Sequence, residues 1–144
     1  MKIVLNGCYG YYKLSDKAIK AYADRKGIWV RKADKLLGAY LTSESPDKWN
    51  DSDESKSKCF MDDDIQRDDI DLVAVVEELG PEADGFGAHL YIEEFDDGYA
   101  WDIDEYDGDE TIRLYPKEAI VRELVSAGKV EELISYLKGA DVLR

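Results

Sequence analysis

This 144-residue chain is poor in the residues that cross-link, coordinate or rigidify a fold: two cysteines, one histidine and three prolines. Two cysteines as far apart as Cys8 and Cys59 make no disulfide framework, and Cys-x-x-Cys and His-Glu-x-x-His are missing. A metal site is not expected. Long apolar runs are also lacking, which excludes a membrane helix of the usual 18 or more residues. Met1 to Gly7 holds too short an apolar stretch for a signal peptide, so an intracellular, cytoplasmic protein is expected. Basic residues are scarce as well, 19 Lys or Arg against 33 Asp or Glu, for a formal net charge of -14.

With 44% apolar and 11% aromatic residues, the chain can still bury a core, and its length suits one compact domain spanning 1–144. The charge is segregated. Residues 1–35 sum to +6, residues 44–110 to -21 and residues 111–144 to +1. So acidic a block repels nucleic-acid phosphates and disfavours direct nucleic-acid binding. It suits a partner with a basic surface. Attraction between the +6 and -21 segments within the fold, or head to tail between copies, is a further use of the same charges.

Local signals place the elements. Lys2 to Leu5 reads as a buried strand stopped by Asn6-Gly7. Ser15 suits a helix N-cap, with Leu14 and Ile19 at staple positions, Asp16 at the positive end of the dipole and Gly27 at the stop. Ile28-Trp29-Val30 reads as a second strand. Residues 41–66 lack periodicity and have the composition of a polar, mobile loop carrying Trp49. Asp68 or Asp69 then caps a helix with Leu72, Val73, Val76 and Leu79 on one stripe, ended by Gly80-Pro81. From Pro116 onward, two short helices broken at Gly128 form a helical extension over 116–144.

In residues 88–115, Asp97-Gly98 and Asp107-Gly108 divide three alternating segments, and Asp-Gly favours a type I′ hairpin turn. This predicts a three-stranded meander with Leu90, Ile92, Trp101, Ile103, Ile112 and Leu114 facing the core. In it, Ile92 faces Ile103, Ile103 faces Ile112 and Trp101 faces Leu114. Trp101 should be largely buried at its centre. The other face would expose Tyr91, Glu93, Asp102, Asp104 and Arg113. The fold class expected is α+β, helices packed on a largely antiparallel sheet.

Lys2-Ile3-Val4, the Cys8-Tyr9-Gly10 turn, Leu14-Ser15, Asp71-Leu72-Val73 to Glu77-Glu78-Leu79-Gly80, and Trp101, Ile103 and Glu105-Tyr106-Asp107-Gly108 together resemble a group of small acidic bacteriophage and prophage proteins without an established activity. The resemblance covers about half the chain, in pieces. It departs at Tyr11, where related sequences carry a second glycine, and the polar loop and final helices look like additions. The resemblance implies a phage accessory protein in a bacterial host cell and supplies no catalytic residue.

Several constellations invite chemistry. Asp102, Asp104, Asp107 and Asp109 superficially resemble a calcium loop. With Gly108 at its sixth position, however, Ile103 and Leu114 would fall where an EF-hand needs carboxylates. Cys8 or Cys59 with His89 could be imagined as a nucleophile pair, but nothing in the spacing supplies the partner a reactive thiolate needs. No Ser-His-Asp set carries a supporting motif, so enzymatic activity and a cofactor are not expected.

Two functional expectations remain beside simple solvation of the acidic face. The first is a protein that binds and inhibits a basic, nucleic-acid-handling host protein, a defence component among the candidates, by presenting Glu93, Asp102, Asp104, Asp107 and Asp109 as a phosphate-like field. The alternative is capture of a small signalling nucleotide by the strand-to-helix turn. Gly7, Tyr9, Gly10 and Tyr11 would approach the ligand, with Lys13 and Lys17 as cations. That turn lacks the P-loop spacing.

Overall fold

A computed structural model describes residues 1–33, 39–43 and 58–139. The elements are β1 (Lys2–Asn6), α1 (Asp16–Lys26), β2 (Trp29–Lys32), β3 (Tyr40–Ser43), β4 (Lys58–Phe60), α2 (Ile70–Leu79), β5 (Leu90–Glu94), β6 (Tyr99–Tyr106), β7 (Asp109–Pro116), α3 (Lys117–Ser126) and α4 (Val130–Gly139). This is an α+β fold whose sheets are small: β1-β5, β2-β3-β4 and β6-β7. The chain divides into two compact units. The first comprises Met1–Glu94 with Asp104–Thr111, and the second comprises Phe95–Ile103 with the residues from Ile112 onward.

Capping residues define the helices of the first unit. The Ser15 hydroxyl accepts from Ala18 N, and Gly27 closes α1 in the left-handed region at φ 70°. Asp69 accepts from Asp71 N and Leu72 N at the start of α2, and Gly80 follows its end at φ 56°. The buried face of α2 is Leu72, Val73, Val75 and Val76, broader than the expected stripe because Val75 joins it. Ala18, Ile19 and Tyr22 of α1 pack against that face, together with Val4 of β1 and Leu90 of β5.

β1 is the most deeply buried strand, with Ile3, Val4 and Leu5 fully covered. One edge pairs antiparallel with β5, Lys2 opposite Glu94 through Asn6 opposite Leu90. Among the described residues, no strand pairs with its other edge. Val4 N donates to Arg67 O and Val4 O accepts from the Arg67 guanidinium, while Asn6 N donates to Glu110 Oε1 at 2.8 Å. A buried strand must satisfy both edges, and here an ion pair satisfies the second.

The structure corrects the expected meander of residues 88–115. β5 pairs with β1, and β6 pairs with β7 alone, so Ile92 does not face Ile103 across a ladder. The two Asp-Gly turns behave differently. Asp107 and Gly108 have φ of 51° and 89°, the double positive φ of a type I′ turn, and β6 and β7 end symmetrically on either side. At Asp97-Gly98 neither φ falls in the left-handed region. There the Asp96 carboxylate accepts from Gly98 N at 2.7 Å, and Asp96 O accepts from Tyr99 N. The local side-chain acceptor replaces the hairpin turn.

Trp101 is correspondingly half-buried within the second unit, and Leu114 is exposed; neither belongs to the main core. The inward and outward alternation along β6 holds, with Trp101 and Ile103 less exposed than Asp102 and Asp104. The expected loop over 41–66 is likewise corrected at both ends. Tyr40–Ser43 and Lys58–Phe60 are strands of an antiparallel three-stranded meander with β2. Leu41 and Ile65 are buried there, as is Asp62, whose carboxylate accepts from Leu14 N. Trp49 lies outside the described residues. In the second unit, Lys117 N donates to Gly98 O, and Gly128, at φ 68°, separates α3 from α4 as expected.

Candidate functional site: an aromatic and acidic rim on a glycine contact

Asn6 ends β1 with its amide at a junction of three loops. Its Nδ2 donates to Cys8 O, Gly10 O and Gly108 O at 3.1, 3.1 and 2.7 Å, and its Oδ1 accepts from His89 N at 2.8 Å. The loops approach so closely that side chains are excluded. A Cβ on Gly10 would lie 1.6 Å from Gly87 O, and one on Gly108 would lie 1.5 Å from Gly10 O. Glycine at these two positions is therefore a packing requirement.

Beside this contact lies the ion pair that completes β1. Arg67 and Glu110 bond in parallel, Nη1 to Oε1 at 2.8 Å and Nη2 to Oε2 at 2.9 Å, the fork geometry that suits a carboxylate. The guanidinium carbon sits 3.3 Å from the centre of the Tyr12 ring. Burial raises the Tyr12 hydroxyl above its usual range, so it stays protonated, and among the described residues it has no hydrogen-bond partner. Tyr91 contributes from β5 by donating to Glu110 O. Burial, then the charges of Glu93, Asp109 and Glu110, raise the Tyr91 hydroxyl too.

The loops that meet at the three glycines carry aromatic rings that do not pack inward. Tyr9 and Tyr11 flank Gly10 and are each 71% exposed, Phe86 adjoins Gly87 and is 100% exposed, and Tyr106 precedes the Asp107-Gly108 turn at 79%. Carboxylates alternate with them: Asp104, Glu105 and Asp107 are exposed and Asp109 is partly so. At the foot of this rim, Tyr11, Tyr12, Asp63, Arg67, Glu105, Gly108 and Glu110 line a cleft of about 360 Å³.

The expected acidic set is therefore only partly gathered. Asp104, Asp107 and Asp109 lie on the β6–β7 hairpin within the first unit, and Asp102, in the stretch of β6 assigned to the second unit, is exposed on the same side of that strand as Asp104. Glu93, expected on one sheet face with Asp102 and Asp104, stands instead on β5 opposite Ile3 of β1. Its charge and that of Asp109 both act on the Tyr91 hydroxyl.

For the nucleotide alternative, Gly7, Tyr9, Gly10 and Tyr11 lie in one turn, part of whose backbone is used internally. Gly7 N donates to His89 O, and the carbonyls of Cys8 and Gly10 accept from Asn6. Lys17 pairs with Glu82, and Lys13 stands 3.6 Å from Asp62. The Cys8 thiol contacts Gly87 O at 3.0 Å and Asn6 Oδ1 at 3.4 Å, while His89 approaches Asp84 at 3.7 Å. Among the described residues no three potential ligands converge as a metal site, and no helix is long and apolar enough to cross a membrane.

Phe86, Tyr106, Arg67 and Glu110 escaped sequence reasoning as site residues. A signal for the first two exists: an aromatic residue next to, or two before, a glycine recurs at Tyr9-Gly10, Phe86-Gly87 and Tyr106-Asp107-Gly108. Comparison with protein-family models, curated proteins and solved structures returns no match to this chain.

Proposed function

We propose that this chain is a binding module for a basic protein, with the aromatic and acidic rim as its contact surface. The observation that carries this reading is the display of Tyr9, Tyr11, Phe86 and Tyr106 by loops locked together at Gly10, Gly87 and Gly108. Leaving four aromatic rings in water forfeits burial that the core would reward, and large aromatic side chains are the usual anchors of protein interfaces. The carboxylates around them select the partner's charge. Arginine and lysine side chains gain both from a carboxylate and from an aromatic face.

The nearby acids raise the encounter rate with a basic partner and oppose nucleic acid. Together with the resemblance to phage proteins, this supports a phage accessory protein that occupies the nucleic-acid-binding surface of a host protein, a defence component among the candidates. Such occupation would inhibit that protein by competition for its basic cleft.

Affinity capture from bacterial lysate tests the reading, using the wild-type chain, Phe86→Ser with Tyr106→Ser, and Asp107→Asn with Asp109→Asn. The expected result is a basic, nucleic-acid-binding protein retained by the wild type, released by salt and lost by both variants. Equal retention by all three chains at high salt would overturn it.

A further inference from the structure

We infer that the helical pair α3–α4 is a self-association surface, and that two copies of this chain join there as a four-helix bundle. The second unit lacks a core of its own. Among its described residues none is buried, although they include Trp101, Ile103, Ile112 and Leu124. Its parts are a two-stranded sheet and two helices of 10 residues each, and such elements are marginal in water without an apolar face to pack on.

The helices carry more apolar surface than their own pairing covers. In α3, Ile120 and Leu124 form one row at i, i+4 spacing and Val121 and Val125 a second; in α4, Leu133 and Leu137 form one row and Val130 and Ile134 a second. The Ile120–Leu124 and Leu133–Leu137 rows are half-buried, whereas Val125 and Val130 are 60% and 62% exposed and Ile134 is 41% exposed. Two apolar rows on one helix suit a neighbour on each of two sides, the arrangement of a four-helix bundle.

Charge selects the occupant. A chain of net charge -14 repels a copy of itself overall, yet residues 117–139 hold four Lys or Arg and four Glu and sum to zero. Glu118 pairs with Arg122 and Lys129 with Glu132 along the helices themselves. Such a face offers a strongly basic partner no net attraction and a second copy no net repulsion. Because both copies present the same patch, the contact is isologous and closes at two chains. A head-to-tail contact through residues 1–35 has less to draw on, since Lys2, Lys17, Arg25, Lys26 and Lys32 already pair with carboxylates of their own unit.

Sedimentation velocity on the full chain tests the inference. The wild type should sediment at twice its 16.4 kDa. Val125→Glu with Val130→Glu, which brings like charges together across the two-fold axis, should sediment at 16.4 kDa. Both positions are exposed in the single chain, so the loss of mass reports the contact between copies. Val125→Ser with Val130→Ser, which adds no charge, should weaken the dimer about a hundredfold or more and recover it at high concentration, the sign that the fold is intact. Phe86→Ser with Tyr106→Ser on the rim should stay dimeric. A wild type that remains at 16.4 kDa up to millimolar concentration overturns the inference. So does a mass above two chains, a dimer that survives unweakened in the valine variants, or one that is lost in the rim variant alone.

Discussion

Asn6 carries more of the site than any other residue. Its amide serves three carbonyls and one backbone N–H from loops separated by up to about a hundred positions, and it has no access to solvent. Leaving a buried polar group unpaired costs about 1–3 kcal/mol, so Asn6→Ala should lower stability by about 3 kcal/mol or more in urea melts. Gly10→Ala should be comparably damaging, because its methyl would overlap Gly87 O. Gly27→Ala, at φ 70° with open space around it, should cost only about 1 kcal/mol. Equal midpoints for the two glycine variants would contradict the close contact. This network was illegible in the sequence because its members, Asn6, Arg67 and Glu110, follow no spacing; only the folded chain brings them together. Trp101 shows the opposite error, a large apolar residue placed in the core on parity alone. Half-buried in the second unit, it should lose less stability on truncation to alanine than Leu72, for which about 2–5 kcal/mol is expected.

At the scale of elements, whatever is decided by adjacent residues could be read in advance. The Ser15 and Asp69 caps, the Gly27, Gly80 and Gly128 stops and the Asp107-Gly108 turn all stand where short-range chemistry puts them. Strand pairing could not be read this way. β5 chose β1 over β6 because an apolar strand far back in the chain offered it a ladder, while Asp96 diverted the Asp97-Gly98 turn. The start of α2 also supplies a pH dependence. Burial raises the Asp69 carboxyl, but bonds from Asp71 N, the Tyr22 hydroxyl, Lys26 and Leu72 N outweigh it and hold Asp69 below its usual 3.8; Lys26 and Arg25 lower Asp71 likewise. A carboxyl depressed in the folded state stabilises the fold above its unfolded value and loses that contribution as pH falls through the folded value. Melting temperature should therefore fall as pH drops below about 4, and Asp69→Asn should flatten that part of the profile. Asparagine still caps a helix, so the loss would report the charge rather than the cap. A profile unchanged in Asp69→Asn would contradict the assignment.

On the scale of the whole molecule, the charge count was legible, and it points to a basic partner as the sequence alone did. The place of contact was not legible, since exposed aromatics look like core residues until their surroundings are known. Nearly every acid of a chain with net charge -14 adds a little to the attraction of any polycation, whereas the rim supplies four exposed aromatic rings on loops held together at Gly10, Gly87 and Gly108. The deciding measurement is therefore the affinity of an arginine-rich peptide for Phe86→Ser with Tyr106→Ser, which leaves the net charge unchanged, beside Glu131→Gln with Glu132→Gln, which removes two charges from α4. The rim variant should bind about tenfold or more weakly than the wild type while the α4 variant stays near it. If affinity instead follows net charge, falling in the α4 variant and holding in the rim variant, the acidic surface acts as a whole and the rim is not its binding site.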